Sequence, residues 1–184
     1  MVQALREIIN SEGYDEVSLK ETLSVFSGPP NDKNSKDVVN FLKNDAIDYE
    51  KEDITRTYIL VNDEQWEKGI LQIDGYFSIA LKIICFSKSI DEAFLIETFG
   101  DKKTSNRVAF LIGQLARSNC SEKGTGKKLL KEALSYISSV SDLIGGRFVY
   151  LDCDKALQPY YEQNGFSFLQ NKHKSELIQM YKII

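Results

Sequence analysis

Apolar residues recur at two different spacings along this chain of 184 residues, and the spacings separate helices from strands. Spacing of three or four residues predicts helices over 2–10, over about 36–51 and after Gly126. A shorter helix is predicted in "QPYYEQNGF", with Pro159 in its first turn and Gly165 at its C-cap. The stretches 27–37 and 87–106 are polar, and we expect loops there.

Runs of β-branched, aromatic or continuously apolar residues predict strands between these helices. The run 108–116 is apolar throughout, which is typical of a central strand covered on both faces. The other predicted strands are 56–61, 72–86 (one or two strands), 145–153, "FSFLQ" and "ELIQMYKII". We therefore expect an α/β fold in one domain, residues 1–184, with a mixed central sheet flanked by helices.

Composition narrows the classes of function. The formal net charge is −4, so the surface as a whole is not built to attract nucleic acid. No run is long and apolar enough to span a membrane, and the first residues lack the pattern of a signal peptide. The three cysteines, Cys85, Cys120 and Cys153, are widely spaced, which favours reduced thiols in a cytoplasmic protein over disulfides or a zinc site. We expect no bound metal.

The stretch "NCSEKGTGKKLLKEAL", residues 119–134, places two glycines and three lysines at the start of a predicted helix. A helix N-terminus offers free amide N–H groups and a positive dipole end, and glycines let an anion approach the backbone. A tight turn would also explain Gly-x-Gly alone, but here a predicted strand precedes it and a helix follows. The motif is too short for a Walker A loop and lacks the three-glycine dinucleotide fingerprint. It therefore indicates a pyrophosphate site of another kind.

Two motifs, in this order, resemble the GNAT superfamily of acetyl-CoA-dependent N-acetyltransferases. "IGQLARSNCSEKGTGKKLLKEAL" is similar to that family's central strand, pyrophosphate loop and helix, and the loop motif Gln/Arg-x-x-Gly-x-Gly/Ala falls on residues 121–126. "YLDCDKALQPYYEQNGF" resembles its next strand, short helix and Tyr-x-x-x-Gly-Phe ending, which falls on Tyr161, Gly165 and Phe166. The resemblance covers at least 108–184. It implies a GNAT fold in which a splayed pair of strands binds acetyl-CoA.

The resemblance also implies roles for individual residues. Acetyl-CoA would be bound by the end of the central strand and by the loop, that is by Leu115, Ala116, Arg117, Ser121, Glu122, Lys123, Gly124, Thr125, Gly126 and Lys127. The pyrophosphate would accept hydrogen bonds from the amides of Lys123 to Lys127. Tyr161 would donate its proton to the departing thiolate, since a phenol with a pKa of about 10 is protonated at neutral pH. Ser121 departs from the motif, because Gln or Arg is usual there and serine brings no charge.

The first half resembles one branch of the family, which includes toxins that acetylate the amino group of aminoacyl-tRNA. The similar stretches are "FLKNDAIDYEKEDITRTYILVND", "GYFSIALK" and "LIGQLA". The resemblance implies direct attack of a primary amine on the thioester, and it leaves the acceptor open. One reading is aminoacyl-tRNA, with the chain as a toxin bound by an antitoxin. The other is a small amine or a peptide, which an acidic surface would attract.

Several further points stay open at the level of sequence. The cations that would have to form a local basic patch for tRNA are Lys36, Lys43, Lys51, Lys102, Lys103, Arg107 and Arg117. From a different class, the chain could be a catalytically inactive CoA-binding module that regulates a partner, and a homodimer is compatible with either function.

No general base stands out in the sequence. Asp152, Asp154 and Glu97 are candidates, although solvated or capping carboxylates are the commoner roles for such residues. We expect Cys153 to be a buried structural thiol. We expect His173, the only histidine, to be exposed and inert.

Overall fold

A computed structural model of the chain describes residues 1–11, 13, 15–29, 35–101 and 106–184. The strands are β1 (Val2–Ala4), β2 (Arg56–Val61), β3 (Ile73–Cys85), β4 (Asn106–Arg117), β5 (Phe148–Cys153), β6 (Ser167–Asn171) and β7 (Ile178–Ile183). The helices are α1 (Leu5–Asn10), α2 (Glu16–Ser24), α3 (Ser35–Asn40), α4 (Ala46–Lys51), α5 (Asp63–Trp66), α6 (Glu92–Phe99), α7 (Thr125–Ile144) and α8 (Gln158–Gln163). A π-helical turn, Phe41–Asp45, joins α3 to α4, and a 3₁₀ turn, Lys155–Leu157, precedes α8.

The structure confirms most of the predicted elements and corrects several of them. The segment 2–10 begins as a strand rather than a helix, and 72–86 forms the single strand β3. Helix α6 lies inside the segment 87–106, which the polar composition had indicated to be a loop. Both ends of α6 are marked by local sequence signals: Asp91 caps its first turn, and Gly100 ends it in the left-handed conformation. Helices α2 and α5 were not predicted.

The strands form one mixed seven-stranded sheet in the order β1-β2-β3-β4-β5-β7-β6, so β4 is central as predicted. The antiparallel ladders described are β1 with β2, β2 with β3, β5 with β7, and β6 with β7. Strand β4 pairs in parallel with β5 over only Phe110 with Val149 and Leu111 with Tyr150. The consecutive residues Ala109 and Phe110 of β4 are both buried, whereas Val108 is exposed, so the run 108–116 is covered on both faces only over part of its length.

The chain is organised into two compact units. The first contains Met1–Ala80 and Ile112–Ser139, and the second contains Leu81–Leu111 and Val140–Ile184. In the first unit, apolar side chains of α1, α2 and the α3–α4 helix form a core with one face of β2 and β3. In the second, a separate aromatic-rich core includes Phe86, Leu95, Phe148 and Tyr150. Among the described residues, no helix has both the length and the apolar character needed to cross a bilayer.

Tyr76 ties β3 of the first unit to the helix α3–α4. Its hydroxyl donates a hydrogen bond to the carbonyl of Val38, one turn before the π-helical segment, and its ring stacks on Phe41. A π-helical turn displaces the regular i to i−4 pairing, so carbonyls near it need other donors. Burial raises the pKa of Tyr76 far above its usual range, so the phenol remains protonated and can donate.

We therefore expect Tyr76→Phe to lower the free energy of unfolding by about 1 kcal/mol or more, because it removes the partly buried hydrogen bond from the Tyr76 hydroxyl to the Val38 carbonyl. Tyr49→Phe is the matched control, since the Tyr49 ring also contacts Phe41 but its hydroxyl makes no hydrogen bond within the described residues. The control should change stability by no more than about 0.5 kcal/mol. Urea unfolding followed by circular dichroism measures both, and equal stability of the two variants would contradict this role of Tyr76.

Candidate functional site

The end of β4 and the loop that follows it are anchored within the first unit. The Ser118 N–H donates to the carbonyl of Asp74 at 2.8 Å, and the Asn119 N–H donates to the carbonyl of Ser27 at 2.9 Å. Gly75 permits a close approach here, because a Cβ at that position would lie 2.8 Å from the carbonyl oxygen of Ala116. These anchors were not predicted, although a glycine inside a strand pattern is a signal for such an approach.

Several amide N–H groups of the loop have no hydrogen-bond acceptor among the described residues. Gly124 has a φ of +98° with open space where a Cβ would lie, and its carbonyl accepts from the N–H of Lys128 at 3.1 Å. Gly124 therefore directly precedes α7, and its carbonyl accepts the first hydrogen bond of that helix. Within the described part of the chain, five amide N–H groups of this loop donate no hydrogen bond: those of Glu122, Lys123, Gly124, Gly126 and Lys127. Unpaired N–H groups at the start of a helix, here one of 20 residues, are the donors that anion-binding sites use.

Two loop residues are engaged in a way that changes the predicted site. The Thr125 N–H donates to the carbonyl of Glu122 at 3.3 Å, so this amide is not free for a phosphate as we expected. The hydroxyl of Ser121 donates to the carbonyl of Ser118 at 2.8 Å, so its proton is also used within the loop. The five free amides, rather than these two groups, are the available donors.

Charge around the loop is positive on balance. Lys123, Lys127 and Lys128 are exposed, as is the single loop carboxylate, Glu122. Partial burial and the nearby Lys128 lower the pKa of the N-terminal ammonium group, which places Lys128 close to the chain terminus. The loop therefore combines backbone donors with exposed cations, and both kinds of group make charge-assisted hydrogen bonds to phosphate.

The strand residues predicted to bind acetyl-CoA lie at the end of β4. Ala116 is buried, while Leu115 and Arg117 are half-buried. Strand β4 continues from Leu111 to Arg117 without further ladder pairs to β5, so the described pairing leaves main-chain groups of 112–117 free on that edge. An extended ligand with amide groups could pair with such an edge as an added strand would.

Tyr161, the predicted proton donor, belongs to the second unit and lies on α8. The turn that ends α8 is a Schellman motif: the Phe166 N–H donates to the Tyr161 carbonyl at 3.0 Å, and the Gly165 N–H to the Glu162 carbonyl at 2.9 Å. Gly165 has a φ of +81°, and the ring of Phe166 packs edge-on against Tyr161 at 5.8 Å between centroids. The Tyr-x-x-x-Gly-Phe pattern is thus the sequence of this helix end, and Tyr161 is 8% exposed.

The neighbouring Tyr160 has a different environment. Its hydroxyl oxygen is buried and has no hydrogen-bond partner among the described residues. Burial raises the pKa of Tyr160, so its phenol stays neutral. The rings of Tyr160 and Tyr161 contact each other edge-on at 5.1 Å.

No family model and no curated protein matches the sequence. Solved structures do match. AtaT complexed with acetyl-methionyl-tRNAfMet has a TM-score of 0.71 at 17% identity, over 100% of this chain and 94% of that one. A tyrosine-to-phenylalanine mutant of KacT has a TM-score of 0.69 at 16% identity, over 97% of this chain and 92% of that one.

A third neighbour is a tyrosine-to-phenylalanine mutant of the AtaT toxin bound to the C-terminus of the antitoxin AtaR and to acetyl-CoA. It has a TM-score of 0.66 at 17% identity, and the match covers 100% of this chain and 92% of that one. The chain has the GNAT fold of these toxins. The predicted fold class is therefore confirmed, and the resemblance to this branch of the family extends from the sequence motifs to the fold.

Within this GNAT fold, the carboxylates considered as general bases are committed to structural contacts or lie at the surface. Asp152 accepts hydrogen bonds from Gln179 at 2.8 Å and from Lys172 at 2.7 Å. Asp154 caps the 3₁₀ turn before α8, accepting from the Ala156 N–H at 2.8 Å, and Glu97 is exposed on α6. The described geometry supports none of the three as a base.

The basic patch considered for tRNA is partly neutralised. Lys51 forms an ion pair with Glu16, and Arg107 lies over the ring of Phe99 and donates to the carbonyl of Asp101. Lys102 and Lys103 lie outside the described residues. Within the described ranges, no group of three or more His, Cys, Asp or Glu side chains could hold a metal ion.

The cysteines differ in exposure as expected for reduced thiols. Cys85 and Cys120 are exposed, whereas Cys153 is buried, which confirms the prediction for Cys153, and His173 is exposed, also as predicted. Burial raises the pKa of the Cys153 thiol to about 12. The thiolate is the nucleophilic form, so Cys153 should be nearly inert at pH 8.

We therefore expect Ellman's reagent at pH 8 to modify two thiols quickly in the native protein, and a third only after unfolding. Cys153→Ala should leave the rapid phase unchanged and remove the third thiol from the count in denaturant. Rapid reaction of all three thiols in the native protein would contradict the buried position of Cys153.

Proposed function

We propose that the chain is an acetyl-CoA-dependent N-acetyltransferase. The observation that carries the proposal is the set of free amides at the Gly124 turn before α7, in a fold whose neighbours include a structure with acetyl-CoA bound. The alternative of an inactive CoA-binding module is disfavoured because the chain retains Tyr161 in an ordered helix end.

In this proposal acetyl-CoA binds along the first unit. The pantetheine amides pair with main-chain groups of Leu115, Ala116 and Arg117 at the free edge of β4. The pyrophosphate accepts hydrogen bonds from the free loop amides and interacts with Lys123 and Lys127. Glycines 124 and 126 keep side chains away from the phosphate groups.

The chemistry requires two proton movements and no covalent enzyme intermediate. The neutral primary amine attacks the thioester carbonyl, so a C–N bond forms and the C–S bond breaks. The nitrogen loses one proton to solvent. Tyr161 donates its phenolic proton to the departing thiolate and is reprotonated from solvent afterwards.

For the acceptor we propose the amino group of an aminoacyl-tRNA, because the neighbour AtaT is complexed with acetyl-methionyl-tRNAfMet. An α-amine beside an ester is mostly neutral near pH 7, which fits the lack of a described general base. The net charge of −4 favours the second candidate, a small cationic amine or a peptide N-terminus. By analogy with the AtaT complex with AtaR, we propose an antitoxin segment as protein partner.

Acetyl-CoA at about 100 times its dissociation constant should stabilise the parent protein by about 2.7 kcal/mol, seen as a higher melting temperature. Gly126→Val should abolish this shift, because a branched side chain in the first turn of α7 covers the free amides. Ser135→Val is the matched control, since it places the same side chain on the exposed surface of the same helix. A parent protein with no shift, and no heat of binding by calorimetry, would refute the proposed function.

Tyr161→Phe should lower kcat by about 100-fold or more, because the thiolate loses its proton donor. The KM for acetyl-CoA should change little, since the interaction grows only as the thiolate forms. Tyr160→Phe is the control and should keep nearly full turnover, because it removes a hydroxyl that has no described partner.

The assay for these variants measures thiol release with polyamines, peptides with free N-termini, and aminoacyl-tRNA. The acceptor with the highest kcat/KM identifies the substrate class. Full turnover by Tyr161→Phe on that acceptor would show that the proton comes from elsewhere.

A further inference from the structure

We propose that Lys182, on β7, is a positioning residue for Tyr161 that acts through the C-terminal end of α8. The inference rests on the proposed function, because it presumes that the Tyr161 hydroxyl takes part in the reaction. All the residues concerned lie in the second unit.

The contacts of Lys182 are with the turn that ends α8. Its ammonium group donates to the carbonyl of Gly165 at 3.1 Å and to that of Asn164 at 3.4 Å. It also lies over the ring of Phe166, 5.9 Å from the centroid. The last carbonyls of a helix have no intrahelical donors and carry the negative end of the dipole, so a cation there stabilises the helix end.

Gly165 makes this contact sterically feasible. A Cβ at Gly165 would lie 2.4 Å from the Nζ atom of Lys182, so any other residue would displace the ammonium group. The glycine of the Tyr-x-x-x-Gly-Phe pattern therefore has two functions in this chain: it adopts the left-handed conformation and it leaves room for the cation.

The path from Lys182 to Tyr161 is short. Lys182 contacts the Gly165 carbonyl and the Phe166 ring, and Phe166 both packs on the Tyr161 ring and donates its N–H to the Tyr161 carbonyl. Strand β7 is fixed in the sheet, where Lys182 is opposite Val149 of β5. A helix of one and a half turns is thus held at its end by a residue of the sheet, which fixes the side chain of the proton donor.

Lys182→Met removes the ammonium group and keeps the apolar stem. We expect kcat to fall about 10-fold and the KM for acetyl-CoA to stay unchanged. A displacement of a catalytic group by 1 Å can lower the rate ~100-fold, and we expect a smaller movement of Tyr161. Lys182→Arg, which can still donate to the two carbonyls, should recover most of the turnover. In the Tyr161→Phe background, Lys182→Met should lower kcat no further, because it acts only through Tyr161.

Lys172→Met is the matched control, since Lys172 directly follows β6, the strand next to β7, and its ion pair with Asp152 does not involve α8. It should lower the melting temperature as Lys182→Met does, yet leave kcat unchanged. Equal loss of kcat in both lysine variants, or a further loss in the Tyr161→Phe background, would overturn the inference. If Tyr161→Phe alone keeps full turnover, the proposed catalytic role fails first, and the two failures are thereby distinguished.

Discussion

The ends of two helices determine how this chain presents its candidate site. Each α-helix leaves N–H groups unpaired at one end and carbonyls unpaired at the other, and a folded protein must supply partners or leave them to solvent and ligands. At the start of α7 the chain leaves five amides of residues 122–127 without a described partner. At the end of α8 it supplies donors from the Schellman motif, from Asn164 and from Lys182. The amides at the start of α7 are thus available to a ligand, whereas the carbonyls at the end of α8 are bound by donors of the protein.

Strand β3 contacts the first turns of α7 through Gly75. Successive residues of a strand face opposite sides of the sheet, and Gly75 and Tyr76 show the consequence. On one side, the absent Cβ of Gly75 leaves space for Leu129 of α7 and for the backbone of Ala116. On the other, Tyr76 is fully buried and bonds to the helix α3–α4 through Val38. One pair of residues thereby contacts both the helix that begins with the free amides and the core of the first unit.

Local signals were sufficient for much of the fold and for both motifs. Helix α7 was predicted because its apolar stripe is long, and α8 because Pro159 and Gly165 mark its two ends. Helix α6 was missed because it is short and lies between polar segments, although Asp91 and Gly100 are regular capping signals. The loop was located correctly, but its donors were not, because the hydrogen bond from Thr125 to Glu122 depends on the turn geometry.

By itself, the sequence determined most of the element types, the glycine turn at 124–126 and the Tyr161–Phe166 helix end, because these depend on propensity and on contacts between near neighbours in the chain. Only the tertiary structure decided which groups are free. The anchoring of Ser118 by Asp74, the commitment of Asp152 to Lys172 and the approach of Lys182 to Gly165 join residues that are 17 or more positions apart. Such pairs form when strands of the sheet bring distant segments together, and a single sequence carries no local signal for them.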